Sequence, residues 1–314
     1  AADVTFADGA DIITASAGSG NTRIGTNAGN SILSGGNYNI TIGYDAGTAL
    51  TTGDNNVAIG VEALMTEDAH GHNVAVGHQA LKMQDAGSNA ANTAVGAAAG
   101  TAMTTGVVNT IIGAYAGDAM QTSSYCTAVG YAALSAEDAS NRSTAIGYGA
   151  LSAQNVAGAN ADNTAVGYAA GTAINTGTNN TIMGSFAADA LLDADYNVAI
   201  GVSSLSTDRY GDQSVAIGYA ALGLQNFATV TNSRNTAVGA NAGYATTTGT
   251  YNTFIGNLAG SSNTDTDFNV AVGANALPGD ELGSCATAVG YGALQTQDFE
   301  TATLNYNTAI GFEA

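Results

Sequence analysis

Basic residues are almost missing from this chain of 314: only Arg23, Lys82, Arg142, Arg209 and Arg234 face 25 acids, for a net charge of −20. Nucleic-acid binding rests on neutralising phosphates with Lys and Arg, so no nucleic-acid partner is expected. There is one proline and no tryptophan. No run of about 18 apolar residues occurs, which argues against a membrane-spanning helix and against membrane insertion by one. No charged-then-apolar leader opens the chain. The ending NTAIGFEA stops three residues after Gly311, in mid-repeat, and suggests processing or truncation.

Glycine is plentiful, with 42 residues, and much of it is periodic. The stretch NTAVGYAAG at Asn163–Gly171 returns as NTAVGAAAG from Asn92 and NTAVGANAG from Asn235. Its core, (T/V)-x-(V/I)-G, recurs 17 times between Gly25 and Gly311, and 11 of the 16 intervals are 17 residues long. A fixed period of this size marks a repeat architecture in which each unit stacks on the next. The expectation is an all-β chain: a parallel β-solenoid, β-roll or β-helix, of 17 coils over residues 21–314, with residues 1–20 as an N-terminal segment or cap.

Positions are numbered here from the anchor glycine. Position −1 is Val or Ile in 16 coils, and −3 is Thr, Val or Ile in all 17. Such β-branched residues suit a strand. Side chains alternate with period two, so −1 and −3 share one face and the mostly Ala position −2 takes the other. The bulk of Val95, Val166 and Val238 places them inside the coil, each followed by a shape-setting glycine at Gly96, Gly167 or Gly239. Position −2 then faces a second buried surface. Position −4 is Asn in 13 coils, including Asn92, Asn163 and Asn235. Stacked Asn side chains can form an amide ladder.

A longer period overlies the short one. Position +4 reads Gly-Gly-Leu-Leu four times, with Ala188 as the one departure. Position −2 enlarges once per four-coil unit, to Thr41, Ile111, Ile182 and Phe254. A partner surface that changes every four coils would explain this, so Ile111, Ile182 and Phe254 are read as an inter-chain contact.

The cores NTAVGYAA, NVAIG and SVAIGYAAL resemble the (N/S)-(S/T)-x-A-I-G motif in the heads of trimeric autotransporter adhesins. The longer variant, with AGTAMTTG and units like NTAVGYGAL, resembles the repeat shafts of phage tail fibres. The resemblance covers residues 21–314 as a pattern. It implies a parallel homotrimer, an extracellular place on a virion or cell surface, and a fibre whose partner is a cell-surface glycan or receptor.

Candidate chemistry is sparse. His70, His72 and His78 are the three histidines, within nine residues beside Glu67 and Asp68. A short His tract can bind metal, but a connecting turn explains it equally, and no metal centre or cofactor is assigned. Ca²⁺ is the ion that oxygen-rich turns such as TDTD and DADYN would suit. Cys126 and Cys285 lie nine coils apart, about 43 Å at ~4.8 Å per coil, beyond the reach of a disulfide. Paired turn acids, among them Asp193 with Asp195, Asp208 with Asp212, Asp265 with Asp267 and Asp280 with Glu281, are the groups a glycan-cleaving tailspike would use. The competing reading is a solvated acidic surface, and no catalytic residue is assigned. Tyrosines at +1 (Tyr44, Tyr131, Tyr148, Tyr168, Tyr219 and Tyr291) would cover a neighbouring strand or stack on sugar rings. The sequence thus points to a structural fibre shaft or adhesive stalk that is not an enzyme. The alternatives are a glycan- or surface-binding adhesin head and, after that, a glycan-degrading tailspike.

Overall fold

The computed structural model describes residues 16–314, so most of the segment assigned to residues 1–20 lies outside the described residues. The chain is all-β, a parallel β-solenoid of about 17 turns, with no helix among the described residues. Each turn contributes one three-residue strand that ends just before its anchor glycine, such as Thr93–Val95, Thr164–Val166 and Thr236–Val238.

Two compact units divide between Thr122 and Ser123. In the first, six strands from Thr22–Ile24 to Thr110–Ile112 pair in chain order. In the second, eleven strands from Thr127–Val129 to Thr308–Ile310 do the same. These pairings are parallel and keep the anchor register, as in Thr164↔Thr181 and Ala165↔Ile182. The longer intervals that close units of four coils add a short second ladder: Gly211–Asp212 with Thr231–Asn232, and Gly283–Ser284 with Thr303–Leu304.

Backbone shape explains the anchor glycine. Its φ lies between 123° and 145° in all 17 turns, a region that side chains with a Cβ avoid. A Cβ on Gly96 or Gly167 would also lie 2.5 Å from the carbonyl oxygen of the next coil's glycine. The column therefore demands glycine on two independent grounds.

The strand faces are the reverse of those expected from side-chain bulk. Position −2 points into the coil, and Ala94, Ala165 and Ala237 are fully buried. Positions −1 and −3 point outward: Val95 is 37 % exposed, and Val166 and Val238 are only half-buried. Parity with position −4 fixes this choice. Asn92, Asn163 and Asn235 are fully buried. Each Oδ1 accepts the backbone N–H of the next coil's Asn at 2.8–2.9 Å. Each Nδ2 donates to the carbonyl of Gly106, Gly177 or Gly249 at 2.7 Å. A buried amide is stable only when both ends are satisfied, and here the stacked coils satisfy both. The expected amide ladder forms, with its rungs running mainly from side chain to backbone.

The enlarged −2 residues follow from the same orientation. Ile111, Ile182 and Phe254 are fully enclosed by their own chain, so the expectation that they mark an inter-chain contact is overturned. They fill the space left where +4 is glycine instead of leucine. A Cβ on Gly100 would lie 3.0 Å from Ile111 Cδ1, one on Gly171 would lie 3.0 Å from Ile182 Cδ1, and one on Gly243 would lie 2.7 Å from Phe254 Cδ2. Volume moves from one wall of the coil to the other, as a close-packed interior requires.

Substitution of neighbouring strand residues tests these faces. Ala165→Asp buries an unpaired carboxylate at a cost of several kcal/mol and should prevent the second unit from folding. Val166→Asp, one residue on, should leave the far-UV circular dichroism of the folded chain. Phe254→Ala should cost ~3–5 kcal/mol in denaturant unfolding. Equal losses from the two Asp variants would contradict the assignment.

Candidate functional site

With −2 and −4 inside, the −3 and −1 side chains line the outside of each unit in two parallel columns. In the first unit the −1 column runs Ile24, Ile42, Ile59, Val76, Val95 and Ile112; in the second it runs from Val129 to Ile310. Several of these side chains, Ile24, Ile112, Met183 and Ile255 among them, are 39–48 % exposed. Position −3 beside them is Thr, Val or Ile throughout. Contiguous apolar surface of this kind is uncommon on monomers.

Aromatic side chains flank these columns. At +1, Tyr131, Tyr148 and Tyr168 stack on one another with centroids 5.2–5.3 Å apart and planes within 9–12°. Each remains about half exposed. The rings thus cover one another and keep an edge in water. Aromatic residues also stand at −5, the corner preceding the Asn ladder, in six scattered coils: Tyr38, Tyr125, Tyr196, Tyr251, Phe268 and Tyr306, of which Tyr251 and Phe268 are in adjacent coils and stack at 5.1 Å. All six have φ between 51° and 62° and are 42–69 % exposed. Bulky residues seldom take left-handed backbone, so their identity did not announce this conformation.

The turn acids are tied into the coils. Asp195 Oδ1 accepts from Thr178 N at 2.6 Å and from its hydroxyl at 3.0 Å, and Asp267 does the same with Thr250 at 2.7 and 2.8 Å. Asp265 accepts from the hydroxyls of Thr247 and Thr248, both at 2.6 Å, and these bonds hold its carboxyl below the usual range. Asp193 accepts from Thr176. Asp208 and Asp280 are fully buried; they accept from Gln225 and Gln297 Nε2, each at 2.5 Å. The sequence had presented these acids as turn pairs. The four residues at +7 of the third coil of each unit (Glu67, Glu137, Asp208 and Asp280) are in fact interior carboxylates, a pattern visible in the four-coil spacing.

The three histidines occupy different surroundings. His72 sits at an exposed −5 corner with φ 67°, and His78 is exposed at +1. His70 is half-buried, with Nδ1 3.2 Å from Glu67 Oε1. Glu67, Asp68 and Asp85 gather round it. Cys126 is buried, and burial pushes its thiol up to about 11, which makes it a poor nucleophile at neutral pH. Among the described residues, no helix is long and apolar enough to cross a membrane.

No family model matches the chain, and no curated protein matches it. The class defined by the fold is the parallel β-solenoid.

Burial raises the carboxyls of Glu67, Asp118, Asp189, Asp208 and Asp212 above their ordinary range. A carboxyl whose folded pKa exceeds its unfolded one destabilises the fold as pH rises through the folded value. The opposing contribution of Asp265 is present above the ordinary carboxylate range and is partly screened by solvent. The melting temperature should therefore be higher at pH 5 than at pH 8. Each kcal/mol is worth ~2–4 °C in a domain of 150–250 residues. Thermal scans across that window that rose with pH would show that the buried acids do not govern its stability.

Proposed function

We propose that the protein is a structural fibre shaft or adhesive stalk of a virion or cell surface, built of stacked coils and assembled as a parallel homotrimer through the outward −1 and −3 columns. The observation that carries this reading is the run of Val, Ile and Thr side chains that the coil leaves outside. One coil contributes little. At ~25 cal/mol per Å², covering ~20 Å² on a coil is worth about 0.5 kcal/mol. Association costs several kcal/mol or more, so only an array of many coils can support a stable contact. Stacked repeats supply such an array and also favour a spacer, because each coil bonds only to its neighbours.

Sedimentation at micromolar concentration should give three times the chain mass of 30.8 kDa. The combined variant Val166→Asp, Ile200→Asp and Val238→Asp should sediment as a folded monomer. A wild-type monomer, or a trimer indifferent to these changes, would sink the proposal.

The half-exposed stacked tyrosines favour a second reading, a binding head that stacks on sugar rings. A glycan array separates the two. A shaft gives no hits, whereas a head gives hits that are lost in the combined Tyr131→Ala, Tyr148→Ala and Tyr168→Ala variant.

A further inference from the structure

The four-coil repeat contains its own comparison for the buried acid at +7. In the second unit of four coils, Gln154 Nε2 donates to Glu137 Oε2 at 2.8 Å, and in the third and fourth Gln225 and Gln297 do the same for Asp208 and Asp280. The first unit departs from this. Gln84 Nε2 donates instead to Thr104 O at 3.0 Å, and Glu67 Oε2 is buried with no hydrogen-bond partner. The residue at −4 of that coil differs too. It is Asn73 here, where the other units have Ser143, Ser214 and Ala286, and Gln154 and Gln225 also use the two serine hydroxyls, at 2.8 and 2.9 Å.

Around this unsatisfied carboxylate the sequence also departs from the other units. The residue three after the acid is His70, against Ser140, Gly211 and Gly283 elsewhere. The residue after the glutamine is Asp85, a place that Asp298 shares in the fourth unit, where no histidine accompanies it. Glu67, Asp68, His70 and Asp85 each place one ligand atom within 4.8 Å of the others. Asp68 and Asp85 are exposed and His70 is half-buried, so the group opens to solvent on one side and to a fully buried carboxylate on the other.

We infer that Glu67, Asp68, His70 and Asp85 form a binding site for a divalent transition-metal ion. Three carboxylates beside one another repel unless a cation joins them, and no Lys or Arg is paired with any of the three. An imidazole among oxygen ligands suits Zn²⁺ and its first-row neighbours, whereas Ca²⁺ takes oxygen ligands throughout. The ion would supply the partner that Gln provides in the other units, and would staple the turn at Glu67–His70 to Asp85 in the following coil. Of the three histidines, only His70 belongs to this set. The inference stands apart from the assembly proposed above, because the four residues belong to one chain.

Calorimetric titration of ZnCl₂ into the full chain tests it. One site per chain is expected, with CaCl₂ binding more weakly. Losing an outer-sphere partner alone costs metal sites ~10–100-fold in affinity, so His70→Ala and Asp85→Asn should each weaken Zn²⁺ by at least that much. Glu137→Gln, at the matching position of the next unit, should leave the affinity unchanged. Were His70→Ala to lose its β circular dichroism, Asp85→Asn, at an exposed turn, would decide alone. No heat at millimolar ZnCl₂, an affinity unmoved by both ligand variants, or Ca²⁺ binding as tight as Zn²⁺ would overturn the site.

Discussion

Coil-to-coil contact at the anchor glycine sets the terms for everything else in this chain. Backbone stacks on backbone there so closely that no Cβ fits beneath the next carbonyl, and φ near 135° rules out other residues in any case. Once that column is fixed, each strand must repeat the register of its neighbour, since a shift would bring a side chain under a carbonyl. In the regular coils a period of 17 residues follows, and the extra residues of the longer intervals are pushed away from the column, into the turns. In the two longest intervals they form Thr231–Asn232 and Thr303–Leu304, which pair with Gly211–Asp212 and Gly283–Ser284 of the preceding coil.

The narrowness that this stacking imposes decides what the interior contains. Ala at −2 and +3 faces a narrow interior, and the larger groups mostly occupy +4 and +7. Because the walls are close, a change on one must be answered on the other. Leu64 and Leu81 pair with Ala58 and Ala75, whereas Gly100 and Gly117 pair with Ile111. Phe254 takes this furthest, filling the space above both Gly243 and Gly260. The four-coil period is thus an internal packing cycle. The carboxylate–glutamine pairs at +7 belong to the same cycle, since a long polar side chain in one coil needs an equally long partner in the next.

The fold could be read from the sequence because glycine spacing reports a backbone constraint directly. The faces could not be read from bulk alone, since Val166 and Ala165 are both apolar and alternate in the same way. Asn163 held the answer: its amide needs two partners in the interior, and −2 shares its parity. The exposed aromatic corners at −5 were hidden for a different reason. Left-handed φ leaves no mark on Tyr196 or Phe268 as letters in a sequence, where Gly or Asn would have signalled it. The ion site was partly legible, as a His tract, but the ligands that close it arrive from the following coil at Asp85 and from an interior position at Glu67.

Backbone bonds join coil to coil beyond the three-residue strands, as where Gly100 N donates to Ala116 O at 3.0 Å and Val108 N to Ala90 O at 2.7 Å, and polar side chains add to them. Inside, the −4 Asn column carries the next coil's N–H. Two residues earlier, polar side chains at −6 reach the other way and accept the preceding coil's N–H: Asp54 accepts Asn37 N, Asn141 accepts Ser124 N, Asp195 accepts Thr178 N and Asp267 accepts Thr250 N, at 2.6–2.8 Å. Much of the acidity of the turns is accounted for in this way, since a carboxylate accepting a backbone N–H makes a stronger bond than a neutral acceptor does. The arrangement also limits itself. Asp195 and Asp212 are stacked in successive coils, with Asp195 N donating to Asp212 Oδ1 at 2.8 Å, and repulsion from Asp195 adds to burial in raising the Asp212 carboxyl. A column of aspartates alone would accumulate that repulsion at every step, which gives a physical reason for its dilution with Asn141, Thr178, Thr250 and Ser284 in a chain that carries so few cations.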